Sequence, residues 1–232
     1  DTTGRWKAFH FTSFDNPFIS RTAIDEISKD MTSVSYKQEI MAEDIEDIPG
    51  ALWKRKWFDE FRKDEIPELA KIVVAIDPAT TSKATSDEVG IVCAGAGIDG
   101  RYYVLADRSG IMSPDAWGNR AINLYKEFNA DRIIAEVNNG GDLVETVLRT
   151  IEPNIPYTAV VASRGKITRA EPVAAMYEQG KVSHIGNFEE LETQCSEYIP
   201  GDKSPDRMDA LVWAITYLME NSGKIKYFVD TV

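Results

Sequence analysis

Apolar residues follow one rhythm before Lys71 and another after it, and the change divides the chain. From Lys71 onward, short runs rich in Val and Ile, each bounded by turn residues, predict strands over 71–77, 89–95 and 101–106. The last two are joined through Ala96-Gly97-Ile98-Asp99-Gly100, a hairpin turn. Ser113 as N-cap and Pro114 at the first helical position open a helix that runs to Phe128. Strands at 132–137, 157–162 and 181–185 then alternate with helices at 141–150, 168–179 and 188–198, and a helix over 205–221 closes the pattern. Pro172 falls in the first turn of its helix, where a missing N–H costs nothing. An antiparallel meander followed by strand–helix alternation predicts an α/β domain, a mixed central sheet flanked by helices.

Before Lys71 the periodicity is weak. SFDNPFIS reads as loop and turn, 22–29 as a short helix, and 35–42 as a helix or an extended segment. The acidic run 43–47 and Pro49-Gly50 form an exposed connection, and 53–62 is an amphipathic helix or a linker that ends near Pro67. The expected organisation is an appendage over 1–70 and a folded domain over 71–232. With 232 residues, 43% of them hydrophobic, the chain can bury a sizeable core. The longest apolar run, 208–219, is interrupted by Asp209 and is too short to cross a bilayer, and no basic-plus-apolar leader opens the chain, so no membrane partner is expected. Cys93 and Cys195 lack CxxC spacing and sit among apolar residues, as reduced thiols of a cytosolic protein do.

Three carboxylates fall where charge is costly. Asp77 ends IVVAIDPA, Glu136 lies inside RIIAEVNNGGD, and Asp209 interrupts SPDRMDALVWA. An unpaired buried charge costs several kcal/mol unless a cation balances it. Singly, Asp77 has a plain explanation as a turn cap before Pro78, Glu136 as a strand-edge residue, and nearby Asp206 as a first-turn acid that complements the helix dipole, whereas Asp209 is less easily dismissed. Asp206 and Asp209 are expected on the face of the last helix opposite Met208, Leu211, Val212, Ile215 and Met219. Jointly, all three acids sit at the ends or starts of elements that one sheet edge brings together.

The element order is that of a ribonuclease H-like (retroviral-integrase-like) fold, in which the first and fourth strands are neighbours and a closing helix lies above them. Asp77, Glu136 and Asp209 then form one cluster able to hold two divalent cations for phosphodiester hydrolysis, with no histidine needed as base. Hard oxygen ligands favour Mg²⁺ or Mn²⁺ over zinc. The net charge of −12 works against phosphate binding, although Arg164, Lys166 and Arg169 gather in one glycine-containing segment. That segment is either a solvated loop or a phosphate contact. Asn138-Asn139-Gly140-Gly141 is a tight turn or a glycine-rich helix start suited to phosphate, and Asp87 is a further acid near the site, best read as a turn cap.

In the blocks IVVAIDPATTSKATSDEVGIV, RIIAEVNNGGDLV, ASRGKITRAEPVAAMYEQGKVSH and SPDRMDALVWAIT the chain resembles the nuclease domain of the large terminase subunit of tailed bacteriophages and prophages. The resemblance covers roughly 72–220. It implies a metal-dependent DNA endonuclease that cuts concatemeric viral DNA during packaging in the host cytoplasm, with Asp77, Glu136 and Asp209 as catalytic metal ligands and Asp206 as an auxiliary one. Lys166 and Arg169, with Arg164 beside them, are implied as contacts to the DNA backbone. Implied partners are double-stranded DNA, the terminase small subunit, the portal of the procapsid, and the ATPase domain of the same polypeptide, of which 1–70 is read as the end and linker. ATP hydrolysis is not expected of this chain itself: Gly165-Lys166 is followed by Ile167 and Gly180-Lys181 by Val182, so no G-x-x-x-x-G-K-S/T loop is present. Two other readings stand beside this one: a packaging module that holds DNA and docks to the portal with cleavage suppressed, and a sugar-kinase-like phosphotransferase. The second needs a glycine-rich loop after the first strand, where Asp77-Pro78-Ala79-Thr80 offers none.

Overall fold

The computed structural model describes residues 9–28, 40–42, 48–78, 88–137, 142–161 and 166–222. The chain divides into two compact units, Asp1–Pro49 and Gly50–Val232. In the first, a 3-10 turn at Ser13–Asp15 precedes helix α1, Arg21–Ser28. Asp15 accepts hydrogen bonds from both the backbone N–H and the hydroxyl of Thr12, closing a capping box.

The second unit holds helix α2 (Arg55–Phe61), strands β1 (Leu69–Asp77), β2 (Glu88–Gly97), β3 (Tyr102–Asp107) and β4 (Gly110–Ile111), and helix α3 (Pro114–Glu127). There follow β5 (Arg132–Glu136), α4 (Asp142–Ile151), β6 (Tyr157–Val160), α5 (Lys166–Glu178), β7 (Val182–His184), α6 (Glu189–Glu197) and α7 (Asp206–Ser222). The sheet runs β6-β5-β1-β2-β3-β7, with the short β4 paired to β2. β1, β2 and β3 form the antiparallel meander, whereas β5 lies parallel to β1, β6 to β5, and β7 to β3. This is the ribonuclease H-like arrangement that the element order predicts.

Alternation along the strands sorts the core into two layers. Val73 and Ala75 of β1, Val92 and Ala94 of β2 and Ile134 of β5 pack with α2, α5, α6 and α7 on one face. Val74, Ile76, Ile91, Cys93, Ile133 and Ala135 pack with α3 and α4 on the other. A one-residue slip in any strand would exchange the layers, so burial on both faces fixes the register. Both Cys93 and Cys195 are free and buried, and burial pushes each thiol's pKa up, which leaves them as inert core residues.

Three features differ from the sequence reading. Pro172, expected in the first turn of its helix, is the seventh residue of α5 and lies inside it. The sheet-bearing unit takes in 50–68, which the sequence reading assigns to the appendage: Trp53 and Phe58 are fully buried against Tyr177 and the α7 layer. Over 207–215 the last helix is buried on every side rather than amphipathic, because β1 and β2 lie under it while α5 and α6 flank it.

A polar network ties α2 to the β7 edge. Arg62 donates from Nη1 to Glu192 Oε1 at 2.7 Å and from Nη2 to Oε2 at 2.9 Å. His184 Nδ1 lies 2.9 Å from the same Oε1, and its Nε2 lies 2.8 Å from the Tyr177 hydroxyl. Burial lowers the His184 pKa against the pull of Glu192. For Glu192 burial acts upward, yet His184 and Arg62 outweigh it and hold the carboxyl at about 2.

Two outcomes follow from this packing. A chain beginning at Gly50 should unfold cooperatively in urea, whereas one beginning at Leu69, without Trp53, Trp57 and Phe58, should lose more than about 3 kcal/mol, the cost of emptying a large aromatic site. On acidification, unfolded His184 gains a proton near its ordinary value of about 6.5 that the folded ring refuses. Unfolded Glu192 likewise gains a proton near pH 4.5, whereas the folded carboxyl does so only at about 2. Both groups therefore withdraw stability as pH falls, first below about 6.5 and again from about 4.5 towards 2. Urea midpoints should decline across both windows, and an NMR titration should find the His184 ring mostly neutral at about pH 6.5.

Candidate metal and nuclease site

The first two acids are brought together by strand geometry. β1 and β5 are parallel neighbours, with Ile76 opposite Ala135, so the next register step sets Asp77 beside Glu136. Asp77 shares the face of Val73 and Ala75, and Glu136 shares that of Ile134. Both carboxylates therefore end their strands on the layer that α7 covers. Asp77 is 7% exposed and Glu136 4%.

The third acid arrives from above, on the first turn of α7. Its approach depends on Gly90, which is paired with Asp77 across β1 and β2. A methyl group at Gly90 would collide with the carbonyl oxygen of Asp206 and come within 2.9 Å of Ala210 Cβ. The missing side chain lets the start of α7 rest directly on the sheet. Arg207 fastens it there: the guanidinium lies 2.7 Å from Glu88 of β2, 2.7 Å from Asp107 of β3 and 2.5 Å from Glu190 of α6. Burial works against the Arg207 charge, but hydrogen bonds and attraction from Asp107 and Glu88 prevail and raise its pKa. Asp209, 4% exposed, accepts a 2.6 Å hydrogen bond from the Ser204 hydroxyl.

One turn beyond Asp209, Trp213 links α7 back to the strand ends. Its indole N–H donates to Glu136 Oε2 at 2.6 Å. Arg169 of α5 stacks on the same ring, Cζ 4.0 Å from its centroid, with Nη2 at 3.5 Å from that carboxylate oxygen. A groove of about 400 Å³ opens alongside, lined in part by Thr168, Arg169, Trp213 and Thr216. Asp77, Glu136 and Asp209 thus belong to one region, and their hard oxygen donors suit Mg²⁺ or Mn²⁺. Among the described residues no three His, Cys, Asp or Glu side chains are already grouped as a metal cage. The donor chemistry fits a divalent cation, while Glu136 is held by an indole and a guanidinium.

The sequence matches the family described as the terminase RNaseH-like domain over residues 74–220, a span that contains all three acids. The chain belongs to that family. No curated protein matches it by sequence. Among solved structures it is similar to the nuclease domain of the large terminase subunit gp2 of bacterial virus Sf6, at TM-score 0.55 and 15% identity over 71% of this chain and 98% of that one. It is similar also to the human cytomegalovirus terminase nuclease domain, at TM-score 0.56 and 17% identity, covering 72% and 94%. A large terminase from a thermophilic bacteriophage aligns over 92% of this chain at TM-score 0.54 and 14% identity, and this chain spans 55% of it.

The other candidates of this terminase domain are placed unevenly. Asp206 opens α7, with Arg207 next to it. Arg169 is partly buried beside Glu136 rather than presented as a surface cation, its side chain 9% exposed. Lys166 begins α5, but its side chain, like Arg164, Asp87 and residues 138–141, lies outside the described residues. Gly90, Arg207, Ser204 and Trp213 were not singled out from sequence. Only Arg207, a cation at a helix start where acids are favoured, carried a local signal.

If Gly90 seats the helix, Gly90→Ala should lift the first turn of α7. The expected result is a loss of about 1–3 kcal/mol in urea denaturation, as for other overpacked sites, with amide exchange accelerated most at 206–210.

Proposed function

We propose that this domain is a divalent-metal-dependent DNA endonuclease that cuts concatemeric viral DNA during genome packaging. The observation that carries the reading is that Asp77 and Glu136 end adjacent, parallel strands on the face packed by α7, the helix whose first turn carries Asp209. In this reading Asp77, Glu136 and Asp209 hold two Mg²⁺ or Mn²⁺ ions, with Asp206 in an auxiliary place. Metal bound there would lower the pKa of an attacking water and stabilise the leaving oxygen of the phosphodiester. The chain's own residues set the geometry: β1 and β5 fix two carboxylates, Ser204 orients the third, and Gly90 with Arg207 holds α7 above them. Structures of a mutant Sf6 domain with manganese and with calcium support divalent ions as the cofactor class.

Arg164 and Lys166 would meet the DNA backbone beside the site. The first unit is read as the end of an ATPase domain and its linker. In support, the thermophilic phage large terminase aligns over a larger share of this chain than the isolated nuclease domains do. Phe9, Phe11 and Phe18 are strongly exposed there, as residues awaiting a packing partner are. Small subunit and portal remain the proposed partners of the assembled motor. Among the described residues no helix is long and apolar enough to cross a membrane, and host cytoplasm is the proposed location.

Supercoiled plasmid with Mn²⁺ tests the reading. Nicking and linearisation are expected, abolished by chelator and reduced more than roughly 100-fold by Asp77→Asn, Glu136→Gln or Asp209→Asn, since losing a ligand costs more than losing a residue that merely supports one. A DNA-holding, portal-docking module with suppressed cleavage is the alternative. Plasmid retained in gel-shift assays but left intact at every Mn²⁺ concentration would select it.

A further inference from the structure

Arg169 is a poorly satisfied cation. Its side chain is 9% exposed, and its nearest carboxylate contact, to Glu136, is long at 3.5 Å. Nε and Nη1 are buried without a hydrogen-bond partner among the described residues. Burying a guanidinium with donors unmet is costly, because the lost hydration is returned only by good geometry. What holds it is the Trp213 ring at 4.0 Å and the charge of Glu136. Glu136, in turn, is 4% exposed and takes its hydrogen bond from Trp213 at 2.6 Å. A contrasting arrangement exists in the same fold: Arg62 meets both oxygens of Glu192 at 2.7 and 2.9 Å, a bidentate pair with nothing left to gain.

From this contrast we infer that Arg169, stacked on Trp213, is the internal counter-cation of Glu136 and competes with the divalent metal for that carboxylate. The inference rests on the metal site proposed above and adds a positioning residue to it. Arg169 supplies the positive charge that lets Glu136 be buried before metal arrives, and gives it up when metal binds. Uptake of the ion and release of Arg169 are then a single coupled exchange, in which one cation replaces another at a carboxylate that never goes unpaired. The long ion pair keeps the exchange reversible, since a bidentate one would exclude the metal. Arg169 also lines the groove between α5 and α7, so a freed guanidinium has room to turn.

Mn²⁺ binding to the intact chain, followed by calorimetry and by electron paramagnetic resonance of the free ion, tests this without any catalytic readout. Arg169→Gln should bind Mn²⁺ tenfold or more tightly than the wild type, the scale on which one unit charge about 4–6 Å away biases another ionic equilibrium. Arg169→Lys keeps the charge but not the planar stack, and should fall between the two. Trp213→Phe, which removes the indole donor and changes no charge, should also tighten binding. In the wild type, Mg²⁺ should shift the Trp213 indole N–H resonance as Glu136 changes partners, a signal assigned by its loss in Trp213→Phe.

Unchanged Mn²⁺ affinity in Arg169→Gln, with wild-type binding that Asp77→Asn abolishes, would overturn the counter-cation role and leave the nuclease site standing. Tightening in Arg169→Gln with Arg169→Lys and Trp213→Phe both equal to the wild type would reduce the effect to charge proximity and also overturn it. No Mn²⁺ binding in any variant would overturn the metal site itself, and this inference with it.

Discussion

The seat of α7 on β2 is the contact on which the rest of the site depends. Two carboxylates at adjacent strand ends are common enough; the third must come from an element that crosses above them within reach. A helix held off the sheet by intervening side chains would carry Asp209 farther from the strand ends. Gly90 removes that spacing at one point, and Arg207 prevents the helix from rising, because Glu88, Asp107 and Glu190 hold it from three separate elements. The guanidinium sits at a helix N-terminus, where the dipole disfavours it. Three acids outweigh that cost, and the dipole is left to favour Asp206 and Asp209.

The interior solves the problem of a buried carboxylate in two ways, and the difference separates structure from function. Glu192 is satisfied on both oxygens by Arg62, with His184 and the Phe188 N–H adding to it, and its pKa falls accordingly. Such a group has no capacity left for a ligand. It fastens α2, β7 and α6 together. Glu136 is as deeply buried but has an indole donor and one distant guanidinium. A carboxylate whose charge is balanced by a loose partner retains lone pairs for something better placed, as the proposed exchange with a metal ion requires.

The antiparallel meander, the strand–helix alternation and the neighbouring places of β1 and β5 could be read from the sequence because they rest on short Val- and Ile-rich runs bounded by turns, which are local signals. Element ends moved by only a residue or two, and β4, two residues long, gave no pattern to read. What was hidden depends on tertiary contact. The docking of Trp53 and Phe58 needs Tyr177, more than a hundred positions away, so 53–62 showed only a short amphipathic repeat. α7 reads as one-sided because its small residues, Ala210 and Ala214, carry little hydrophobic weight, yet they are fully buried where neighbours come closest. Gly90 looked like a strand glycine. Arg169 looked like a surface cation in a basic segment, and nothing local could show that its neighbour would be Glu136.

The acidity of the chain takes on a different meaning once its arginines are placed. Arg55, Arg62 and Arg207 all lie against carboxylates of the same unit, so they are committed before any nucleic acid approaches. Counting them among phosphate-binding charges overstates what the surface offers. On the proposed function, attraction for DNA cannot rest mainly on counterion release by lysine and arginine, the usual source of non-specific affinity. Cations bound at the proposed acid cluster would add to it, offsetting the charges of Asp77, Glu136 and Asp209 where a phosphodiester would sit. Metal uptake and substrate attraction then become one event, and a domain with a surplus of carboxylates has little hold on DNA until its metal is in place.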